Sequence, residues 1–585
     1  MKDSHAKFAI FGDPYLAVLL VLAAFLIFFN LGAVYLWEDE AETALVAKSI
    51  WTQGIPKITD GINYFYQEQG KRVGFGDVWA WTPWLQFYVA SLSLRLFGSN
   101  ALAARLPFAF VGWLSLLFLF RITDRLFDRL TARIALLLAS CSVPLLLYIR
   151  QCRYYSLVIF SVLWVVLAVI QTEQAGKKRI WGLISLFLAL SCLFHANYIA
   201  CFGIWLSVLF YAYSPGVLRR ARLDFSWTLL ATAAFNAPWF FLFKPLHEQT
   251  RTFDLEVIWE SVIFYLENMN HYVTPAVLLV LIPLLVRFLP NKKMPQAFDS
   301  NQKRWIFFLL AMVFLTAVFA LMGPAKVFRY LVGVLAICAL LLAVLIRQLW
   351  DRNRWVTGIL LSILVLSNCL HVAAYPVLRK LHPPSARHLK GGFQFPIVSY
   401  IQELFDPPHG STQAIVQFLK ANASQGDLVL ATYGNLPIMF YTGLRVIGGL
   451  SIEALDEAKN AEWVIPRKVV VSDEDGRVMV YLLENLKWER YEQADLAETD
   501  FPWESIPEPN AHQFRSIPFN KDWRIQIYRK LGPDEASRKA TPPDLFYFIP
   551  MERPIVGATA FRQEFIRYLL WLKERAPQDF MINHA

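Results

Sequence analysis

The sequence has few charged residues. Only 17% of its 585 residues are Asp, Glu, Lys or Arg, whereas 56% are hydrophobic and the mean hydropathy is +0.39. Soluble globular proteins carry roughly 25% charged residues, so this composition excludes an ordinary water-soluble enzyme. Apolar runs fill most of residues 15–375. This region is therefore predicted to be one membrane body, followed by a soluble tail.

Cysteine is also scarce and is missing from the tail. All six cysteines lie in or beside apolar segments, which excludes a disulfide framework or a CxxC metal site in the soluble part. Redox chemistry is not expected. The cysteines are Cys141, Cys152, Cys192, Cys201, Cys338 and Cys369.

The excess positive charge is not concentrated in a single basic patch. The formal net charge is +10 and the pI about 9.1, but Lys and Arg occur in short clusters between apolar runs. Such clusters are typical of cytoplasmic loops of membrane proteins rather than of nucleic-acid binding, so no nucleic-acid partner is expected. The N-terminal run Leu16–Leu36 is about 21 residues long, longer than a signal-peptide core, and is predicted to remain as an anchor.

Apolar length and basic clusters together predict about eleven crossings, with the N-terminus in the cytoplasm. Residues 37–100 then form a first external loop and 244–272 a second. The stretch Trp84–Phe97 is short for a span, and counting it would put the cluster Arg121–Arg133 outside, so we interpret it as an interfacial helix. The predicted spans are 15–36, 101–120, 134–149, 154–172, 180–195, 198–214, 225–243, 273–289, 305–322, 328–346 and 355–375.

The tail has the composition of a small α/β domain. Within 385–532, Ser411–Ala421 suits a helix, and the segments Leu428–Thr432, Val464–Val471 and Trp523–Tyr528 suit strands. Residues 533–585 form a C-terminal tail with an amphipathic stretch, 561–572. The predicted fold class is mainly α: a multi-pass helical protein of the cytoplasmic (inner) membrane, with residues 1–380 as the membrane module and a C-terminal extracytoplasmic (periplasmic or extracellular) α/β domain.

Ionisable residues at the span ends gather on the outer side. No ionisable residue falls at the middle of a predicted span, which argues against an ion path through the bilayer. Glu38, Asp39, Glu40 and Glu42 place several mutually repelling carboxylates beside one span end, a poor choice for anchoring, so this acidic cluster is predicted to be functional. The other outer-side residues are Arg150, Arg153, His195, Glu267, His271, Lys326 and Arg329.

Several short motifs, taken in order, resemble the polyprenyl-phosphate-sugar-dependent glycosyltransferases of the GT-C superfamily. The resemblance is to the branch that holds protein O-mannosyltransferases and the lipid A aminoarabinose transferase (glycosyltransferase family 39-like), and it covers most of the chain. Two positions depart from that branch: Glu42 in its first-loop motif, and Thr82 where relatives often have Lys or His. The motifs are Asp39-Glu40, Gly54-Ile55-Pro56, Asp60-Gly61, Thr82-Pro83-Trp84, Leu96-Phe97-Gly98, Ala104-Arg105-Leu106-Pro107, Arg150-Gln151-Cys152-Arg153-Tyr154-Tyr155, His195-Ala196-Asn197-Tyr198 and Arg329-Tyr330-Leu331.

The resemblance implies an inverting transfer of a sugar from a polyprenyl phosphate to an acceptor hydroxyl or phosphate. Asp39 is the expected base and Glu40 its orienting partner. The leaving phosphate needs a cation, for which Arg329, Arg153 and Lys326 are the candidates in that order. Substrate contacts are also expected from Arg150, Tyr154, His195, Glu267 and His271. No metal or other cofactor is expected.

Three alternatives stay open at this point. A membrane transporter needs paired broken helices and polar sites at the bilayer midplane, which the sequence does not clearly contain. A noncatalytic scaffold that binds envelope partners predicts that Asp39→Asn leaves function intact. Within the enzyme class, the acceptor is a lipid such as lipid A, a protein or an envelope glycan, and the sequence does not distinguish among them.

Overall fold

The computed structural model describes most of the membrane module and the centre of the C-terminal domain. By compactness the described residues divide into two units. The first is drawn from Met1–Ala33 and Ala80–Pro407, and the second from Val34–Trp79, Pro408–Glu504 and Ser516–Ala585. The described residues are 13–65, 75–173, 177–243, 255–289, 298–323, 327–381, 393–407, 409–449, 455–467, 469–470, 478, 482, 485–500, 524–532 and 547–548.

Helices dominate the chain, as the hydropathy pattern predicts. Helices α2, α19 and α20 belong to the second unit and the others to the first. In chain order the helices are α1 (Pro14–Phe28), α2 (Glu38–Gln53), α3 (Leu85–Phe97), α4 (Ala101–Leu126), α5 (Arg129–Ser140), α6 (Val143–Ile149), α7 (Tyr155–Thr172), α8 (Lys177–Ala196), α9 (Tyr198–Ala212), α10 (Arg219–Phe243), α11 (Leu255–Tyr272), α12 (Val277–Phe288), α13 (Ser300–Leu321), α14 (Leu335–Trp350), α15 (Arg354–Leu366), α16 (Cys369–Val372), α17 (Tyr375–Leu381), α18 (Pro396–Phe405), α19 (Ser411–Asn422) and α20 (Asn435–Thr442).

Membrane-spanning candidates are identified by length and apolar composition. Among the described residues, five helical segments meet both requirements, or up to eight segments if each of three bent helix pairs counts as one span. The prediction of a multi-pass helical membrane protein is thus confirmed, while the figure of about eleven spans stays a prediction. The five segments are Ala101–Leu126, Tyr155–Thr172, Lys178–Ala196, Ser300–Leu321 and Phe328–Trp350.

Three helix pairs are sharply bent at short breaks, and each pair includes a predicted span. Predicted span 134–149 consists of α5 and α6, which meet at 69°, and span 355–375 consists of α15 and the segment Cys369–Val377, which meet at 87°. The first break occurs where Ser142 precedes α6 with Pro144 in its first turn, a sequence that starts a new helix rather than continuing the old one. The second predicted external loop, 244–272, is helical as α11 over its described part, and α11 meets α12, in predicted span 273–289, at 57°.

Two polar contacts show that α1 and α4 run antiparallel. Arg105, in the first turn of α4, donates a hydrogen bond to the Leu31 carbonyl at 3.1 Å, just after α1 ends. At the other end, Asp13 caps the start of α1 and pairs with Arg129, which follows α4, at 2.9 Å. The chain between α1 and α4 therefore begins and ends at the same end of this helix pair. This geometry supports the interpretation of α3 as a helix that does not cross.

The apolar core of the first unit includes a cluster where α5, α12, α14 and α15 meet. Side chains such as Ile134, Ile282, Ala343 and Ile346 are almost fully buried there. Facing surfaces of these helices are aliphatic, and close packing of such side chains stabilises helix pairs in lipid. The break regions that carry polar residues lie at the ends of these helices.

The second unit contains a mixed sheet of five strands in the order β2-β1-β3-β6-β5. Strands β1, β2 and β3 are parallel, with Val429 opposite Val446 and Trp463, while β6 pairs antiparallel with both β3 and β5. The strands are β1 (Leu428–Ala431), β2 (Arg445–Gly448), β3 (Trp463–Ile465), β4 (Val469–Val470), β5 (Tyr491–Thr499), β6 (Arg524–Lys530) and β7 (Tyr547–Phe548). The predicted small α/β domain is confirmed.

Details of this domain differ from the sequence prediction. Residues 464–471 do not form one strand, because β3 ends at Ile465 and β4 pairs with β7 in a separate two-stranded sheet. Strands β2 and β5 and helix α20 were not predicted. β5 has the sequence YEQADLAET, which is too polar for a hydropathy pattern to reveal. The predicted amphipathic stretch 561–572 and residue Trp523 lie outside the described residues.

Candidate active site

The acidic segment predicted to carry the chemistry begins α2 in the second unit. Trp37 precedes the helix in an extended conformation, and Glu38, Asp39 and Glu40 occupy the first turn. Carboxylates are favourable there because the N-terminal end of a helix carries a partial positive charge. All three are buried, and Asp39, at 8% exposure, is the most accessible of them. A carboxylate held in this way is able to accept a proton from a hydroxyl brought to it.

A cation lies on the same helix. Burial lowers the pKa of the Lys48 ammonium group, and the negative charge of Asp60 opposes that shift. The Lys48 Nζ atom also lies 5.5 Å from the centre of the Phe440 ring, a favourable cation–π distance. The local charge of α2 is therefore not purely acidic.

Three predicted substrate contacts come together in the first unit. Arg153 and Tyr154 lie in the break between α6 and α7, with the Arg153 guanidinium 5.8 Å from the centre of the Tyr154 ring. Arg329, in the 3-10 segment Phe328–Val334, is close enough for its charge to act on the Tyr154 hydroxyl together with that of Arg153. Two guanidinium groups beside a phenol form a site suited to an anion with hydroxyl-bearing substituents.

The neighbouring Tyr155 adds a polar group to this cluster. Its ring lies 4.7 Å from that of Tyr154 and is fully buried. Within the described part of the chain its hydroxyl has no hydrogen-bond partner. Buried polar groups are normally paired, so the Tyr155 hydroxyl is one of the exceptions among the described residues.

Gln86 is a site residue that the sequence analysis did not identify. Its side chain, fully buried on α3, accepts a hydrogen bond from the Tyr154 backbone at 3.2 Å and donates one to the Thr82 hydroxyl at 3.1 Å. Gln86 therefore joins two motifs that are distant in sequence. A glutamine on an apolar helix directly after Thr82-Pro83-Trp84 was the available signal.

Arg150, predicted to contact the substrate, contacts the backbone instead. Its Nη1 atom donates to the carbonyls of Leu26, Ile27 and Phe29 at 3.1, 2.7 and 2.9 Å. These carbonyls belong to the end of α1, where a helix has no amide partners for its last oxygens and where a cation is favourable. This capping contact could not be predicted from the sequence, since the partners are more than 100 residues away. The predicted substrate contact itself stays a prediction.

Glu267 and His271 lie one turn apart on α11 and are both buried. The His271 ring nitrogen Nδ1 is hydrogen-bonded to the Tyr375 hydroxyl, which starts α17. His271 also lines a cavity of about 100 Å³ together with residues of α5, α6, α14, α16 and α18. The carbonyl oxygen of the neighbouring Asn270 is hydrogen-bonded to the His371 ring nitrogen Nδ1 at 2.5 Å.

The remaining predicted residues are separate or undescribed. His195 ends α8, half-buried, with its ring edge-on to Trp239 at 5.1 Å. Lys326 lies outside the described residues. Asp39 and Glu40 belong to the second unit, whereas the arginines, the histidines, Tyr154 and Glu267 belong to the first.

Among the described residues, no cluster of three or more His, Cys, Asp or Glu side chains is arranged to hold a metal ion. The expectation that the protein works without a metal or other cofactor stays a prediction.

Comparisons with known proteins bear on the fold and the class. A family model described as dolichyl-phosphate-mannose-protein mannosyltransferase matches residues 82–243. No curated protein sequence matches significantly. The crystal structure of apo ArnT from Cupriavidus metallidurans is similar at a TM-score of 0.50 and 14% identity, covering 89% of this chain and 98% of that one. The same protein bound to undecaprenyl phosphate is similar at a TM-score of 0.50 and 14% identity, covering 90% and 98%.

A more distant similarity is to the oligosaccharyltransferase of Archaeoglobus fulgidus tethered with an acceptor peptide. The TM-score is 0.46 at 13% identity, covering 89% of this chain and 76% of that one. The chain is thus similar over residues 82–243 to a family of mannosyltransferases and shares its fold with ArnT, and both findings agree with the order of motifs in the sequence.

Proposed function

We propose that this enzyme transfers a sugar from a polyprenyl-phosphate-linked donor to an acceptor hydroxyl or phosphate at the outer face of the cytoplasmic membrane. The observation that carries the proposal is the buried acidic turn Glu38-Asp39-Glu40 at the start of α2, on the chain segment that follows the first apolar helix. The fold supports the donor class, because the ArnT of the same fold has been crystallised with undecaprenyl phosphate.

In the proposed reaction Asp39 is the base. It takes the proton of the acceptor hydroxyl as that oxygen attacks the anomeric carbon, and the bond from that carbon to the phosphate oxygen breaks with inversion. Glu40 orients Asp39 or the sugar. The bonding electrons leave with the polyprenyl phosphate, which needs no proton but gains a negative charge.

The first-unit arginines are proposed to hold that charge. Arg329 and Arg153 both act on the surroundings of Tyr154, and a guanidinium binds phosphate oxygens through two parallel hydrogen bonds. The stabilisation of charge that develops in the transition state typically accounts for a large part of the rate enhancement. Lys326 is a third candidate. Tyr154, His195, Glu267 and His271 are proposed to bind sugar or acceptor hydroxyls.

The orientation in the membrane is part of the proposal. Asp13, at the start of α1, pairs with Arg129 and Arg133, which belong to a basic cluster of the kind that stays in the cytoplasm. This pairing supports a cytoplasmic N-terminus, and the proposed orientation has the C-terminal domain in the periplasm or outside the cell. Lipid, protein and glycan acceptors all remain candidates.

The direct test is transfer from a panel of radiolabelled polyprenyl-phosphate sugars to envelope extract by purified protein in detergent. We expect Asp39→Asn to reduce transfer by about 10²–10⁴-fold, the usual contribution of a general base. Asp406→Asn is the matched control, because Asp406 is an exposed aspartate at the end of α18, and it should transfer as wild type does. Equal transfer by Asp39→Asn and wild type would remove Asp39 from the mechanism.

A further inference from the structure

The segment that carries Asp39 folds as part of the C-terminal domain. Residues Val34–Trp79 form one compact unit with Pro408–Glu504, although more than 300 residues separate them in the chain. The described contacts within this unit fall into two groups. One lies at the edge strand β2 and the other at helix α20.

The first contact is made by a single side-chain amide. Asn63 Nδ2 donates to the Leu444 carbonyl at 2.9 Å, and the Val446 amide donates to Asn63 Oδ1 at 2.8 Å. β2 is an edge strand of the five-stranded sheet, so its outer backbone groups lack a neighbouring strand. Asn63 supplies the donor and the acceptor that such a strand would supply. It is 3% exposed, so water does not replace these bonds at low cost.

A tight turn holds Asn63 in place before it meets the strand. Asp60 Oδ1 accepts hydrogen bonds from the amides of Ile62 and Asn63 at 2.9 and 2.8 Å. Gly61 has φ +94°, which favours glycine, and the Thr59 hydroxyl donates to the Asn63 carbonyl at 2.7 Å. The side chain of Asn63 is therefore preorganised for its contact with β2.

The turn is connected to α2 by further hydrogen bonds. Gln53, the last residue of α2, donates from its side chain to the Thr59 carbonyl at 3.3 Å. One turn earlier, the Ser49 hydroxyl accepts from the Lys57 amide at 2.9 Å and donates to the Val46 carbonyl at 2.7 Å. A displacement of the turn is thus transmitted to the helix that begins with the acidic residues.

The second group of contacts holds the start of α2 directly. The Leu36 amide donates to the Tyr441 hydroxyl at 2.9 Å, and the Tyr35 and Tyr441 rings stack at 4.2 Å. The Leu436 amide, in the first turn of α20, donates to Glu38 Oε1 at 3.5 Å. The helix carrying Asp39 is therefore attached to the C-terminal domain at both of its ends.

We propose that the C-terminal domain is the frame that sets the position of the catalytic base, and that Asn63 and Tyr441 are its positioning residues. This inference rests on the proposed role of Asp39. Neither residue is assigned a contact with the donor or the acceptor. Each acts through α2, so its loss displaces Asp39 without removing a substrate contact.

The test compares four variants of the full-length protein. Asn63→Ala removes both hydrogen bonds to β2. Asn63→Asp keeps the shape and the acceptor but places an oxygen against the Leu444 carbonyl, so it should behave as badly as Asn63→Ala. Tyr441→Phe keeps the ring stack and removes the acceptor for Leu36. Asn422→Ala is the matched control, because Asn422 is exposed and, among the described residues, its side chain donates to the Phe418 carbonyl within its own helix α19.

Kinetics provide the first readout. We expect kcat to fall at least about 10-fold in both Asn63 variants and about 3-fold or more in Tyr441→Phe, because small displacements of a catalytic group are costly. KM for the donor should stay within about twofold, since no substrate contact is lost. Wild-type kcat in Asn63→Asp, or a rise in donor KM that accounts for the whole loss, would overturn the inference.

Hydrogen exchange measured by mass spectrometry provides a readout that does not need activity. In Asn63→Ala, the amides of Glu38–Gln53 should exchange about 10-fold faster while those of β1 and β3 keep wild-type protection. Unchanged exchange in α2 would overturn the inference, as would an equal loss of protection throughout the sheet, which would make Asn63 a general stabilising residue. If wild type transfers no sugar from any donor, the proposed function fails, and the exchange result still decides whether the domain orders α2.

Discussion

Two arginines of the first unit meet different partners. Arg150 donates from one nitrogen to three carbonyls at the end of α1, whereas Arg329 is half-buried and acts on the Tyr154 hydroxyl. The first contact completes a helix end, and the second adds positive charge beside a phenol. The two side chains have the same chemistry, so their surroundings determine what each contributes.

We expect the two corresponding methionine variants to fail in different ways. Arg150→Met leaves backbone carbonyls without a donor and should destabilise the fold by about 1–3 kcal/mol, with donor KM unchanged within about twofold in the folded fraction. Arg329→Met should lower kcat/KM for the donor by about 10²-fold or more with little change in Tm. Thermal unfolding in detergent and steady-state kinetics separate the two. A tenfold rise in donor KM for Arg150→Met at wild-type Tm would instead make Arg150 a substrate ligand.

Residue types in this site were predictable, but their partners were not. The acidic turn at Asp39 was detectable because mutually repelling carboxylates beside a span end do not serve anchoring and are typical of functional sites. The role of Gln86 was not detectable, because a single amide side chain on an apolar helix resembles a residue that only packs against another helix. The capping role of Arg150 depends on α1, which only the fold brings near it.

At the scale of elements, one buried ion pair organises the C-terminal domain. Arg467 follows β3, and its Nε atom lies 2.6 Å from Asp500 Oδ1, with both side chains at most 2% exposed. Its Nη2 atom donates to the Ser411 hydroxyl at 2.8 Å at the start of α19. The pair thus connects the end of a parallel strand, a helix start and the end of β5.

Removing one charge of this pair should be costly. We expect Asp500→Asn to destabilise the domain by about 3–5 kcal/mol, because Arg467 is left as a buried, uncompensated charge. The control is Glu492→Gln, which breaks the pair with Arg529, where both side chains are nearly half exposed and the cost should be within about 0.5 kcal/mol. Hydrogen exchange of the β1 amides in the full-length protein measures the destabilisation in both variants. Equal protection in the two variants would contradict the prediction.

Elements were predictable where apolar periodicity was strong. Helix α19 and strands β1 and β6 agree with the sequence prediction to within a few residues, because α19 has one buried face and the two strands are short, mostly buried segments bounded by polar residues. The breaks at Ser142 and Ser367 were missed, since mean hydropathy over a span does not register a change of direction. β5 was missed because its stability comes from pairing with β6 rather than from its own composition.

At the scale of the whole molecule, the mainly helical membrane fold with an α/β domain was predicted correctly, and the family-model match over residues 82–243 agrees with the proposed glycosyltransferase class. The division into units was not predicted, because it joins segments that are far apart in the chain. The basic clusters predict the orientation in the membrane, with the N-terminus in the cytoplasm.

Cysteine labelling tests that orientation. In a cysteine-free background, which removes the exposed Cys369, Asn422→Cys should react with a membrane-impermeant maleimide in intact spheroplasts. Lys178→Cys, in the basic cluster that begins α8, should react only after permeabilisation. Both positions are exposed, so accessibility depends on the side of the membrane. The reverse pattern would show that the C-terminal domain lies in the cytoplasm.

The joining of Val34–Trp79 with Pro408–Glu504 also has a consequence for biosynthesis. The acidic helix is among the first segments to leave the ribosome, while strands β1 and β2 and helix α20 are among the later ones. During the intervening synthesis the helix lacks its hydrogen-bond partners at Tyr441 and β2. Because a chain is made from its N-terminus at a finite rate, the acidic helix gains these partners only after the C-terminal domain has been synthesised. The order of synthesis therefore delays completion of the proposed active site until the later part of the chain is made.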